Sequence, residues 1–244
     1  MYFAVICGAN IIFPVKKDGN LKINEIFLSI QGEGTRAGEL CVFLRTFGCS
    51  FNCSYCDTKY ASTASTASTG SATEATEAKE YSVAELVEAA KNFGVNLVQI
   101  TGGEPLEQAE TPLLAEKLLE NGFEVLIETN GSQNISVLPK KVIKIMDVKL
   151  PWVSKTNEKE HFYYDNLKYL SENDEVKFVI DGEKGYNWAK NFVETHKIPC
   201  KIIFSPCFGE ISPAELAERI IADKLPVRLG LQIHKILWGD KRGV

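Results

Sequence analysis

The chain has 244 residues, 45% of them apolar and 24% charged, with a formal net charge of -5. That length suits one α/β barrel-sized domain or two small ones, and the apolar share can fill a sizeable core. The acidic balance excludes a nucleic-acid or membrane surface built on bulk positive charge, so a small-molecule partner is expected.

Cys7, Cys41, Cys200 and Cys207 are scattered through apolar surroundings, whereas Cys49, Cys53 and Cys56 are crowded into one loop. An odd total of cysteines in that pattern is no disulfide framework, and a reducing, cytoplasmic setting fits it best. Tyr2 to Ile12 is apolar, but it lacks a preceding basic segment and a following small-residue cleavage site,. It is also too short to span a membrane. Residues 1–21 therefore read as an N-terminal extension, and residues 22–244 as the domain. If Leu21 is encoded by TTG, a codon that also initiates translation in bacteria, residues 1–20 are expected to be absent from the native protein.

In chain order, Lys22 to Ser29 reads as a strand running into the tight polar loop Ile30-Gln31-Gly32-Glu33-Gly34. Leu40 to Phe47 is a near-continuous apolar run of the kind found in buried parallel strands, with Arg45 as its one charge,. Arg45 is either a strand-end arginine reaching solvent or an anion clamp for a carboxylate or phosphate. Cys49, Cys53 and Cys56 follow at x3 and x2 spacing. A cubane 4Fe-4S cluster is normally held by four cysteines, so three would leave one iron open. The alternatives are a zinc site completed by a distant residue, although no second Cys-x2-Cys pair exists to form one, and unrelated buried thiols. Residues 61–79, rich in Ala-Ser-Thr repeats, bury too little apolar area to offset their ordering entropy and read as a flexible insertion,.

Beyond the insertion, Ser82 and Glu85 form a capping box that opens a helix to about Phe93, ended by Gly94. Strands are expected at Asn96 to Ile100, Phe123 to Ile127, Val142 to Met146, Glu175 to Ile180, Cys200 to Phe204 and Val227 to Ile233. Helices are expected from Pro105 to about Asn121, over Lys159 to Leu170, over Lys184 to His196, and after Ser212-Pro213-Ala214-Glu215. Strand and helix alternate, which argues for parallel strands joined by right-handed crossovers. Polar residues gather just after each strand, as at the active-site face of a β/α barrel. The repeats are too few for eightfold closure. The expected fold is therefore α/β, a partial, open (β/α)6-type barrel with an extra N-terminal strand; a doubly wound open sheet is the competing topology.

The cysteine spacing, with Tyr55 before the last cysteine, and Thr101-Gly102-Gly103-Glu104-Pro105 at a strand end resemble the radical SAM superfamily. There the Gly-Gly-Glu-Pro turn contacts the amino group of S-adenosylmethionine. Phe27 to Gly34, Cys56-Asp57-Thr58 and Gln232-Ile233-His234-Lys235 narrow the resemblance to the 7-carboxy-7-deazaguanine synthase family. The likeness covers residues 22–244, apart from the insertion and the segment 151–161.

The resemblance implies that Cys49, Cys53 and Cys56 hold a 4Fe-4S cluster whose fourth iron binds S-adenosylmethionine. The reduced cluster would cleave that cofactor, and the resulting radical would abstract hydrogen from C6 of 6-carboxy-5,6,7,8-tetrahydropterin. Ring contraction and loss of ammonia would then give 7-carboxy-7-deazaguanine, a step of queuosine biosynthesis. Tyr55, Cys56, Asp57, Gly103, Glu104, Asp147, Val148, Lys149, Ser205, Pro206, Cys207 and Phe208 would surround the cofactor. Ile30, Gln31, Gly32, Glu33, Arg45 and Thr101 would meet the pterin, and Thr58 would bind Mg2+. An electron donor such as flavodoxin or ferredoxin and a homodimer are also implied. Family members can bring the C-terminal carboxylate to the site, which would place Val244 there. The insertion close after Thr58 is expected to lengthen the adjoining loop.

On residue type alone, Asp147 with Lys149 reads as a strand-end ion pair, Glu128 with Asn130 as a turn, and His234 as structural or pocket-lining. Two further readings of the whole chain stand beside the synthase. A glycyl-radical-enzyme activase would leave the Gln31-Gly32-Glu33 loop unexplained, and a zinc-binding interaction module would need no S-adenosylmethionine turn.

Overall fold

The computed structural model describes residues 19–61, 78–154, 164–239 and 241–244. Readings that fall on 1–18, on 62–77 of the insertion and on 155–163 lie outside the described residues. The strands are β1 (Asn20–Ile30), β2 (Leu40–Thr46), β3 (Lys79–Ser82), β4 (Leu97–Gly102), β5 (Glu124–Thr129), β6 (Ile143–Asp147), β7 (Glu175–Ile180), β8 (Lys201–Pro206) and β9 (Arg228–Leu229). The helices are α1 (Val83–Lys91), α2 (Thr111–Glu120), α3 (Glu183–Thr195), α4 (Pro213–Asp223) and α5 (Ile233–Trp238).

All strands join one sheet in the order β3-β1-β2-β4-β5-β6-β7-β8-β9. β1 pairs antiparallel with both β2 and β3, and every pairing from β2 to β9 is parallel. A doubly wound sheet reverses its strand order at a switch point. From β2 to β9 the order never reverses, so right-handed crossovers all fall on one side,, and the result is the open barrel expected from sequence.

The two faces of each parallel strand have different fates. Val42, Leu44, Val98, Ile100, Val125, Ile127, Met146, Val176, Phe178 and Phe204 point outward into the main core beneath the helices. The alternate positions point inward, as the period of two requires. Near the strand starts they are apolar, with Cys41, Phe43, Leu97, Leu126 and Ile145 forming a second cluster. Toward the strand ends the same face turns polar, through Arg45, Gln99, Thr101, Glu128, Asp147 and Lys177. The barrel therefore has an apolar floor and a polar mouth.

The helix signals hold where local chemistry decides. Ser82 and Glu85 make both capping-box bonds at α1. Ser212 accepts from the Glu215 N–H at the start of α4, with proline in its first turn. The Gly-Gly-Glu-Pro turn passes through a short 3-10 turn, Pro105–Glu107, before α2 begins at Thr111, so the helix starts later than its sequence suggests. The helix expected over 159–170 is, in its described part, a 3-10 stretch, Tyr164–Tyr169. There Asn166 is fully buried, accepting from Ile135 N at 3.0 Å and donating to Gln133 O at 2.8 Å. That side chain locks the loop where a helix would otherwise pack.

The last strand is also shorter than expected. It stops at Gly230, where an added Cβ would lie 2.5 Å from Ser205 Oγ, and Ile233 to Trp238 form α5. Ile233 N donates to Gly32 O at 2.9 Å, which turns the chain away from the sheet. Two boundaries shift as well. The insertion's first residue, Ala61, is fully buried and its last, Lys79, begins β3. β1 begins at Asn20, and Leu21 is fully buried opposite Tyr81 of β3. Among the described residues no helix is long and apolar enough to cross a membrane.

Leu21→Ala is expected to destabilise the cluster-free protein by about 2–5 kcal/mol, the usual cost of emptying a packed site, read from the urea midpoint. An unchanged midpoint would mean that the packed domain begins after this residue.

Candidate active site

The cysteine loop leaves the end of β2 and is fastened on several sides. Gly48 N donates to Ala61 O at 2.8 Å, Glu104 N to Gly48 O at 2.8 Å, and Ser54 N to Val153 O at 2.9 Å. Ser50 N donates to Glu107 at 3.0 Å, and Cys53 forms a bridge with Ser154. The paired glycines make the close approach of the next strand end possible. A Cβ on Gly103 would stand 1.9 Å from Gly48 O, and one on Gly102, whose φ is +116, would stand 2.4 Å from Thr46 O.

Cys49, Cys53 and Cys56 are in no disulfide; Cys53 is buried, and the other two are half-buried. Burial pushes the Cys49 thiol up to about 12, against a backbone hydrogen bond from Phe51. It pushes Cys53 up to about 11, partly countered by Lys149. A bound metal centre would take these cysteines as thiolates and release their protons. Leu150, Val153 and Trp152 pack around Cys53 and shield it from water. The hydroxyl of Tyr55 and Oδ1 of Asp147 are buried with no partner among the described residues, and both residues line the same cavity as the cysteines. A thiolate donor set beside orphaned polar atoms fits an iron-sulfur cluster with a polar cofactor upon it. Among the described residues no group of His, Cys, Asp and Glu side chains is arranged to hold a single metal ion.

The cavity measures about 950 Å³ and opens at the polar mouth. It brings together nearly every residue singled out from sequence: Ile30, Gln31, Gly32, Glu33, Arg45, Thr101, the three cysteines, Tyr55, Asp57, Thr58, Gly103, Asp147, Lys149 and the Ser205 to Phe208 turn. Glu104 and Val148 are the exceptions. Val148 is fully buried in the outer core, because strand alternation turns it away from its two neighbours. Glu104 is fully buried too, accepting from Leu106 N at 3.1 Å, Thr129 Oγ1 at 2.7 Å and Asn130 N at 2.6 Å. It braces the end of β4 against the end of β5 and does not reach the cavity.

Arg45 is held at Nε by Glu25 Oε2 at 2.8 Å, and Tyr60 donates to the same oxygen at 3.0 Å. The terminal guanidinium nitrogens have no partner among the described residues. The Gln31-Gly32-Glu33 loop is clasped by the start of α5. Gln232 Nε2 donates to Glu33 Oε1 at 2.9 Å, and His234 sits so close that a Cβ on Gly32 would meet its Nδ1 at 2.2 Å. Gly243 and Val244 also line the cavity.

The strongest feature missed from sequence is Lys177 of β7. It is 7% exposed and pairs with Glu33 at 3.0 Å, with Glu128, and with Asp147 at 3.3 Å. Burial works to raise the Glu33 carboxyl, but Lys177 and the Gln232 hydrogen bond hold it below the usual range. Glu128 also accepts from Gln99 and Thr101, each at 3.1 Å, so it is a wall of the cavity as well as a turn neighbour. Asp147 and Lys149 do form the ion pair that residue type suggests, at 2.9 Å.

The pattern of the Radical SAM superfamily matches residues 43–154. The 7-carboxy-7-deazaguanine synthase of Chlorobaculum tepidum is 39% identical over 92% of this chain and 97% of its own length. That of Thermoplasma acidophilum is 36% identical over 91% of this chain and 99% of its own. This chain belongs to the 7-carboxy-7-deazaguanine synthase family. The crystal structure of QueE from Escherichia coli, 24% identical, covers 88% of this chain and 95% of its own, and superposes with a TM-score of 0.71, so it shares the fold.

Family membership directs attention to Glu104, whose Gly-Gly-Glu-Pro turn carries the motif while its side chain is buried away from the cavity. Burial raises its pKa from 4.5 to about 7, against three hydrogen bonds that lower it. Between those two values the folded protein holds a proton that the unfolded chain has released, so this group's contribution to stability falls as pH rises. The stability difference between wild type and Glu104→Gln, from urea unfolding, is expected to decline from about pH 4.5 to about pH 7 and then level. A difference independent of pH would mean that Glu104 is ionised throughout.

Proposed function

We propose that this protein converts 6-carboxy-5,6,7,8-tetrahydropterin to 7-carboxy-7-deazaguanine with loss of ammonia, using a 4Fe-4S cluster and S-adenosylmethionine, within 7-deazapurine biosynthesis. It is a radical SAM enzyme of the synthase family. The observation that carries the reading is one cavity lined by three cysteines in no disulfide, two orphaned polar atoms and an oriented arginine. When bound, the cluster and S-adenosylmethionine supply the one-electron chemistry and the hydrogen-abstracting group.

The protein's part is to bind, orient and exclude water. Cys49, Cys53 and Cys56 would ligate the cluster, with the Leu150-Trp152-Val153 cover keeping water from it. Tyr55 OH and Asp147 Oδ1 would meet polar groups of S-adenosylmethionine, together with Lys149 and the Ser205 to Phe208 turn. Gly103 leaves room at the loop that a side chain would fill. Arg45, with Nε held by Glu25, would offer its terminal nitrogens to the substrate carboxylate as a two-point clamp. The acceptor-rich wall of Glu33 and Glu128, with Thr101 and the Gln31 loop, suits the amino and ring N–H donors of a pterin. Val148 and Glu104 would support these groups from behind.

The same reading includes Mg2+ at Thr58, whose hydroxyl lies 3.6 Å from Cys56 Sγ. It also includes a one-electron protein donor such as flavodoxin or ferredoxin, a homodimer, and a cytoplasmic setting that keeps the cysteines reduced. The catalytic domain would begin at β1, with the N-terminal extension and the Ala-Ser-Thr insertion outside its chemistry.

The direct test is anaerobic incubation of the reconstituted protein with reductant, S-adenosylmethionine and 6-carboxytetrahydropterin, followed by mass analysis. The expected products are 5'-deoxyadenosine, methionine and 7-carboxy-7-deazaguanine. Turnover of S-adenosylmethionine without the deazaguanine would retain the superfamily chemistry and refute the substrate. Arg45→Met should lower kcat/KM on the order of a hundredfold, the scale of a lost charge-assisted hydrogen-bond pair. An unchanged kcat/KM would remove Arg45 from the clamp.

A further inference from the structure

Lys177 stands in the middle of β7 and points into the barrel, where it meets carboxylates from three separate elements. Glu33 comes from the loop after β1, Glu128 from β5, and Asp147 from the end of β6. An ammonium has three N–H donors; two are given in hydrogen bonds to Glu33 and Glu128, and Asp147 stands at ion-pair distance, 3.3 Å. One head serves all three carboxylates, so a shift of one reorients it toward the others. With the lysine side chain 7% exposed, solvent ions screen these contacts little.

The two ends of this arrangement face different parts of the cavity. Asp147 lies beside Lys149, Tyr55 and Cys53. Its Oδ2 is shared between Lys149 at 2.9 Å and Lys177 at 3.3 Å, and its Oδ1 has no partner among the described residues. The Lys177 contact is thus the looser arm of a carboxylate whose other oxygen is open to a ligand donor. At the opposite end, Glu33 is fixed by Lys177 through Oε2 and by Gln232 through Oε1. The position of the Gln31-Gly32-Glu33 loop therefore follows the lysine. Glu128 carries the same link to Gln99 and Thr101.

We propose that Lys177 is a positioning residue that couples the two halves of the cavity: S-adenosylmethionine bound beside Asp147 orders the Lys177 head, which sets Glu33 and Glu128 for the carboxylated pterin. The inference deepens the functional reading above and rests on it. Whichever ligand binds first meets the ordering cost of the shared ammonium, and the second binds more tightly. The effect is reciprocal by linkage, so the pterin tightens S-adenosylmethionine by the same factor.

The test is anaerobic calorimetry on cluster-loaded protein without reductant, so that no turnover occurs. Pterin affinity is measured with and without saturating S-adenosylmethionine, and the converse titration checks reciprocity. Wild type should show a factor of about 5 to 150 in each direction, the usual range of allosteric coupling. In Lys177→Gln the factor should collapse to nearly one, and Lys177→Arg should restore part of it. A merely structural role would weaken both ligands alike and leave the factor intact. Should Lys177→Gln fail to fold, Glu33→Gln severs the substrate-side arm while Lys177 keeps Glu128 and Asp147, and the factor should fall there too. Coupling that is absent in wild type, or that survives in these variants, overturns the inference alone. Wild type that binds no pterin overturns the functional reading and the inference together.

Discussion

An ammonium withdrawn from water is tolerable only where carboxylates meet it, and carboxylates so placed are tolerable only because of the ammonium. Lys177 with Glu33, Glu128 and Asp147 is such a set, drawn from the loop after β1 and from β5, β6 and β7. Satisfying it requires those elements to stand in one relative arrangement. The open barrel supplies that arrangement, because unreversed parallel strands turn alternate residues inward and end on one face. The interior is apolar at the floor, where nothing needs a partner, and polar at the mouth, where every charge needs one. Ligands are thereby directed to the mouth.

The cysteine loop depends on the same face for a different reason. Three thiols in one short loop have no intrinsic shape, and here the shape comes from neighbours. Gly102 and Gly103 let the end of β4 press against Gly48, Glu104 ties that strand end to β5, and the segment after β6 covers Cys53. The Gly-Gly-Glu-Pro turn accordingly works in two directions. Its backbone and the missing side chain at Gly103 face the cavity, while its glutamate braces the scaffold behind.

Much of this was legible in sequence where the signal is local. Apolar runs of strand length gave the parallel strands, the Ser82 to Glu85 box gave the start of α1, and x3-x2 cysteine spacing singled out a loop that lines the cavity. Arg45 stood out as a charge in a buried strand. Lys177 carries the same signal, in Glu-Val-Lys-Phe-Val-Ile, yet its meaning depends on partners remote in the chain and so appeared only in the fold. Val148, named beside Asp147 and Lys149 through the family resemblance, has its side chain sent to the opposite face by the period of two. Val227 to Ile233 looks like one strand, because a short apolar run suits strand and helix equally, yet only Arg228–Leu229 is strand and a helix opens at Ile233. A tertiary hydrogen bond to Gly32 decides between them. Asn166 makes the same point: one buried amide, satisfied by distant backbone groups, replaces a helix that the sequence favours.

The central claim is that Cys49, Cys53 and Cys56 hold a cluster with one iron open to S-adenosylmethionine at this mouth. It is tested most directly by electron paramagnetic resonance of the reconstituted, reduced protein, with S-adenosylmethionine carrying a ¹⁵N-labelled amino group. The account predicts a 4Fe-4S signal that changes on adding the cofactor and shows hyperfine coupling to the labelled nitrogen. A cluster signal indifferent to S-adenosylmethionine, or no cluster signal at all, would contradict it.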